Sequence, residues 1–191
     1  MKLVPTIRIA CSVLLVFGAI AVRFAPHQVD QILSLFESGS HKASGHYTLV
    51  PGGIVNGDTL RVRNGHKELQ VRLCGIDAPE KDQAKGLASR DHLRQLMAQG
   101  TGRVTLVATD TDVYGRTVAE VFIPTGDNDE EINLNAQMVA DGMAYVYPKY
   151  VGSCPNGGRM QVAESDAKRL ALGVWALPNP EKPWDYRASR P

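Results

Sequence analysis

The chain is poor in the residues that build the commoner metal and phosphate sites. Its three cysteines include no C-x-x-C pair, and its five histidines, at 27, 41, 46, 66 and 92, show no metal-ligand spacing. Zinc chemistry is thereby set aside. No glycine-rich loop of the P-loop kind occurs, so nucleotide-triphosphate chemistry on such a loop is excluded as well. A basic surplus is also missing. The 21 Lys and Arg stand against 20 Asp and Glu, and residues 1–45 hold four of the former and two of the latter, leaving 17 against 18 beyond them. A protein that grips duplex nucleic acid by neutralising many phosphates needs such a surplus. Any phosphate chemistry here must come from a few focused charges.

What is present is a globular composition, 43% hydrophobic and 21% charged, behind an apolar leader. Lys2 and Arg8 precede an uncharged run from Ile9 to Val22, closed by Arg23. The run matches the h-region of a secretory signal and falls short of the ~20 residues that span hydrocarbon unaided. Ala19-Ile20-Ala21 offers a small-x-small cleavage site, while snorkelling of the flanking arginines allows an uncleaved anchor. Both readings put the amino terminus inside and residue 46 onward outside the cytoplasm. Residues 1–26 are read as signal peptide or signal anchor, 27–45 as linker, 46–177 as the catalytic domain and 178–191 as a tail.

Within the domain, period-two alternation marks strands. Leu69, Val71 and Leu73 alternate with Gln70, Arg72 and Cys74, which turns Arg72 away from the main apolar face. Similar patterns run through 59–63, 103–108 and 118–123, and the segment before Asn56 supplies another strand. Helical spacing appears over 88–99, 133–140 and 160–171, the last carrying Ala163, Ala167, Leu170 and Ala171. The expectation is an α+β domain: a partly open five-stranded Greek-key barrel of the OB type with about three helices, preceded by an N-terminal hydrophobic helix. Cys74 and Cys154 are the two cysteines of the domain, and spacing alone leaves both a bridge and two separate thiols open.

Four short segments carry chemistry-bearing groups. Asn56-Gly57-Asp58-Thr59 sits between two strands, and Asn-Gly is also the favoured type I′ hairpin pair. Arg72 through Glu80 gathers a cation, two carboxylates and the proline-fixed bend at Pro79 on the end of a strand. Asp112-Val113-Tyr114-Gly115-Arg116 reads as a turn with an arginine. Tyr145 and Tyr147 fall on one face if the chain is extended, as core or as a stacking platform for a base. Hard carboxylate donors favour calcium, which also accepts backbone carbonyls and water.

Taken in order, Gly57-Asp58-Thr59, Arg72 with Asp77-Ala78-Pro79-Glu80, Asp112 through Arg116, and Tyr145-Val146-Tyr147 resemble the staphylococcal nuclease (thermonuclease) family over roughly residues 48–176. The resemblance implies an OB barrel and a calcium-dependent endo- and exonuclease acting on DNA and RNA. It implies that Asp58, Asp77 and the backbone carbonyl of Ala78 hold Ca2+, and that Glu80 positions or activates water. Arg72 and Arg116 would hold the phosphate, and Tyr114, Tyr145 and Tyr147 would line the nucleotide pocket. Three positions depart from the family pattern: Asn56 stands for an aspartate, Ala78 for a threonine and Val113 for a lysine. The expected partners are a nucleic-acid substrate and, through an uncleaved leader, the membrane. The competing readings are a catalytically silent OB module that binds nucleic acid or protein, and an anchored envelope scaffold.

Overall fold

A computed structural model describes residues 44–125 and 130–190. The leader and nearly all of the linker lie outside the described residues. Five strands form the barrel: β1 (Gly45–Ile54), β2 (Thr59–Asn64), β3 (Lys67–Leu73), β5 (Arg103–Thr111) and β6 (Thr117–Pro124). They pair in the order β3-β2-β1-β5-β6. The sheet closes on itself, because β6 runs parallel to β3 through Val71↔Thr117, Arg72↔Val118 and Leu73↔Ala119. The sequence suggested a partly open barrel; this last ladder shuts it and removes the edge that β3 would otherwise expose.

Alternation places the core where the pattern requires. Leu60 and Val62 of β2, Val71 and Leu73 of β3, Val104 and Leu106 of β5, and Ala119, Val121 and Ile123 of β6 are all buried. Each large aliphatic side chain so placed contributes about 1.5–3 kcal/mol of transfer free energy. The described residues hold three further short strands: β4 (Ile76–Asp77), β7 (Glu131–Asn133) and β8 (Tyr145–Val146), the first and last paired antiparallel.

Among the described residues four α-helices pack around the barrel: α1 (Gly86–Met97), α2 (Leu134–Ala140), α3 (Gly157–Arg169) and α4 (Pro183–Ala188). Leu93, Leu96 and Met97 of α1 and Leu134, Met138 and Val139 of α2 are buried, matching their helical spacing. The third helix ends sooner than its apolar residues suggest. Leu170 lies beyond its last residue and is 55% exposed, and Ala171 turns the chain with φ of 51°.

Two features fix the end of β3, from which the site grows. Cys74 and Cys154 are joined as a disulfide across 80 residues, with Cα atoms 6.0 Å apart. Asn135, fully buried, donates to the carbonyls of Cys74 (2.9 Å) and Ala119 (3.2 Å) and accepts from Val121 N (3.0 Å). Its amide thus bonds three backbone groups where the β3–β6 ladder ends, the Ala119 carbonyl also accepting from Cys74 N at 2.8 Å.

Candidate active site

The register of the β2–β3 hairpin builds the site. Thr59 pairs with Arg72, and the Asp58 carbonyl accepts from Leu73 N at 2.8 Å, so Asp58 sits beside the Arg72 side chain. The turn before it is not a type I′ hairpin, since neither Asn56 nor Gly57 has positive φ. Gly57 is there for close approach: a Cβ on it would stand 1.8 Å from Ser89 Oγ and 2.8 Å from the Ala78 Cβ. The missing side chain lets the Asp58 turn press against α1 and against Ala78, just after β4 and Asp77. Asn56 caps the turn, accepting from Asp58 N at 3.2 Å.

Asp58 and Asp77 are each 2% exposed. One nitrogen of the Arg72 guanidinium lies 2.7 Å from Asp77 Oδ1 and 3.2 Å from Asp58 Oδ2, so both carboxylates converge on a single cationic position. Asp58 is further held by Ala78 N (2.7 Å) and Thr59 Oγ1 (2.9 Å). Burial raises the Asp77 carboxyl above its ordinary pKa; the Arg187 hydrogen bond opposes this and the Asp58 charge adds to it. On the far side of Asp77, Arg187 Nη2 reaches Oδ2 at 2.8 Å while its Nη1 reaches Glu80 Oε1 at 2.6 Å.

These groups open into a cavity of about 620 Å³ whose lining includes Asp58, Arg72, Asp77, Glu80, Arg116 and Arg187. Arg116 comes from the turn between β5 and β6. Asp112 organises that turn, accepting from Tyr114 N (3.0 Å) and Arg116 N (2.9 Å) and pairing with Arg116 Nε at 2.6 Å. Burial works against the charge on Asp112, but the backbone and side-chain hydrogen bonds from Arg116 outweigh it and hold its pKa below the usual value. Arg116 also stands 5.3 Å from the Tyr114 ring centre.

The donor set suits a hard dication. The facing acceptors are carboxylate oxygens, and three carboxylates (Asp58, Asp77, Glu80) meet two guanidiniums (Arg72, Arg187). One negative charge is left over. A divalent cation together with one phosphodiester anion brings that group of charges to neutrality. Among the described residues no cluster of three or more His, Cys, Asp or Glu side chains has metal-binding geometry. Two carboxylates would therefore need help from backbone and water, as calcium accepts.

The family model described as Staphylococcal nuclease homologue matches residues 70–177, more than half of the chain. The chain belongs to the staphylococcal nuclease family. Among relatives of this family member, the micrococcal nuclease of Shigella flexneri is 39% identical over 137 residues, covering 70% of this chain and 76% of its own length. An uncharacterized endonuclease of Escherichia coli O157:H7 is 34% identical over 134 residues, covering 70% and 80%. The staphylococcal-like nuclease CAN1 of Arabidopsis thaliana is 33% identical over 126 residues, 65% of this chain and 35% of the plant protein.

In this staphylococcal nuclease domain the fold brings Asp58, Arg72, Asp77, Glu80, Arg116, Tyr114 and Tyr147 to one cavity. Ala78 is buried beside Asp58 and donates its N–H there. Of the three predicted tyrosines, Tyr145 does not line the cavity. It is 1% exposed, edge-on to Trp175 (5.0 Å) and Trp184 (6.3 Å), and it is a packing residue. Both tyrosines reach Trp184, but Tyr145 lies beneath it against Trp175 while Tyr147 lines the cavity. Tyr147 is itself partly taken, since Trp184 stacks on it at 4.9 Å and 6°. Sequence reasoning missed Arg187, which stands in the stretch read as a tail. The one available signal was Pro183-Trp184, a proline at a helix start followed by a large aromatic that must pack somewhere.

Proposed function

We propose that the protein is a calcium-dependent nuclease that hydrolyses phosphodiester bonds of DNA or RNA outside the cytoplasm. The observation that carries this is the convergence of two buried carboxylates on one cationic position at a cavity shared with Arg116 and Glu80. The names of the relatives, micrococcal nuclease and endonuclease among them, support the nuclease part. The Cys74–Cys154 disulfide supports an oxidising compartment, where such bonds persist.

In this reading Asp58, Asp77 and the Ala78 carbonyl hold calcium, which when bound neutralises charge building on the phosphoryl oxygens. Glu80 takes a proton from water as the water oxygen bonds to phosphorus, a role worth ~10²–10⁴-fold for a placed general base. The ester P–O bond breaks, and the departing oxygen takes its proton from solvent. Arg72 and Arg116 present planar forks suited to phosphate and bind the charge of the transition state.

The test is digestion of plasmid, single-stranded DNA and RNA by the purified full-length protein, with calcium and then with excess chelator. Cleavage that depends on calcium is expected. Retained binding of single strands without cleavage would make the protein a silent binding module instead.

A further inference from the structure

The family match stops at residue 177, yet the chain beyond it enters the site. Residues 178–190 are tied down by four separate contacts. Gln83 donates to the Glu181 carbonyl at 2.7 Å while accepting from Glu80 N at 3.1 Å, joining the strap to the loop that carries Glu80. The Lys182 ammonium sits 3.9 Å from the ring centres of both Tyr145 and Trp175. Trp184 stacks on Tyr147. Arg187, one turn of α4 further on, lies across Asp77 and Glu80.

Glu80 needs such a partner. Its carboxylate is about one-third exposed, at 34%, and among the described residues the Arg187 guanidinium is its one hydrogen-bond or ion-pair contact. A base that must meet a water within hydrogen-bond reach loses rate when its side chain wanders, and a misplacement of about 1 Å costs on the order of 10²-fold. Arg187 also bonds both oxygens of Asp77, at 2.8 and 3.4 Å, so a single planar fork sets the distance between Asp77 and Glu80. It leaves Asp58 to Arg72 and the backbone, and lines the cavity without filling it.

We propose that Arg187 is a positioning residue for the hydrolysis, fixing the Glu80 carboxylate against Asp77, so that the strap after residue 177 completes the active site. This rests on the nuclease reading above. Arg187 transfers no proton and makes no covalent bond; it acts through Glu80.

The test uses full-length Arg187→Gln and Arg187→Lys, each in the wild-type and in the Glu80→Gln background, on a single-stranded oligonucleotide with calcium under single-turnover and steady-state conditions. Terbium luminescence titration reads the cation site without catalysis, and thermal unfolding checks the fold. Arg187→Gln is expected to lower kcat about tenfold or more with KM within about twofold, and Lys to recover part of the loss. Terbium affinity is expected to hold or tighten, because a positive charge has left the site. The kcat loss is expected to vanish when Glu80 is already Gln, since the two side chains act as one unit. Equal losses in both backgrounds, a rise in kcat, or a fall that follows weakened terbium binding would overturn the proposal; the rise would make the strap an obstruction. A wild-type protein that binds terbium but cleaves nothing would instead remove the nuclease reading, and this proposal with it.

Discussion

The Arg72 guanidinium and the Asp77 carboxylate meet at 2.7 Å with side-chain exposures of 14% and 2%, and the same nitrogen leans 3.2 Å from Asp58. Two buried carboxylates thus depend on one arginine for part of their charge compensation. Removing one partner of a buried pair costs about 3–5 kcal/mol, because the other charge is stranded. Arg187 shields Asp77 in part, so the lower end of that range applies. Arg72→Ala is expected to lose about 3 kcal/mol in chelator, and calcium is expected to stabilise the variant by more than it stabilises the wild type. Thermal unfolding with and without calcium measures both. Turnover should fall about 10²-fold or more, since a phosphate ligand goes as well; an unchanged melting point in chelator would contradict the buried-pair argument.

How much of this was readable beforehand varies by element. The period-two segments locate four of the five barrel strands to within three residues at each end, because alternate side chains point into the barrel core. Arg72, Asp77 and Glu80 were legible because they crowd one strand end within nine residues. Arg187 was not, because its partners lie 107 and 110 positions away and only tertiary contacts such as the Glu181, Lys182 and Trp184 anchors bring it back. Tyr145 is expected in the pocket on alternation alone, which cannot tell a ring packed against Trp175 and Trp184 from one that lines the cavity. The glycine of the Asn56-Gly57 pair owes its place to α1, which a turn rule cannot see.

The disulfide supplies a second prediction. A bridge closing an 80-residue loop is expected, on the chain-entropy account, to stabilise by about 4.5 kcal/mol. It also ties the strand end that precedes Asp77 to the loop before α3. Reduction, or Cys154→Ala, should lower the melting temperature of the protein markedly and, once the β3 end loosens, reduce activity at temperatures where the oxidised form is still fully folded. A melting curve insensitive to dithiothreitol would show that the bridge contributes little.

Gly57 offers a local test of the site's construction. A methyl group there meets Ser89, itself fully buried and bonded to the Met143 carbonyl at 2.6 Å, so neither neighbour can yield without cost. Gly57→Ala is expected to destabilise by about 1–3 kcal/mol, as overpacking does. It should also weaken terbium binding, because the displaced turn carries Asp58 away from Asp77. Chemical denaturation and a luminescence titration of the same sample separate the two effects, and tight packing at this turn is refuted if both stay at wild-type values.

Asp112 ties protonation to the placement of Arg116. Its pKa is lowered in the fold, so the carboxylate binds protons less readily there than in the unfolded chain. The linkage sign follows: its contribution to stability is fully present above the ordinary carboxylate pKa of 3.8 and is lost as pH falls through the lower folded value. Asp112→Ala should therefore cost about 1 kcal/mol near neutrality, reflecting two backbone hydrogen bonds and a partly solvated ion pair. That difference from wild type should shrink as the pH is taken below the carboxylate range. At neutral pH the variant should also turn over substrate more slowly, because Arg116 loses the 2.6 Å contact that aims it at the cavity. Paired denaturation curves at pH 7 and pH 3 read the first effect. A stability gap that widens toward acid would mean that Asp112 is favoured in its protonated form by the fold, the reverse of what its hydrogen bonds to Tyr114 and Arg116 require.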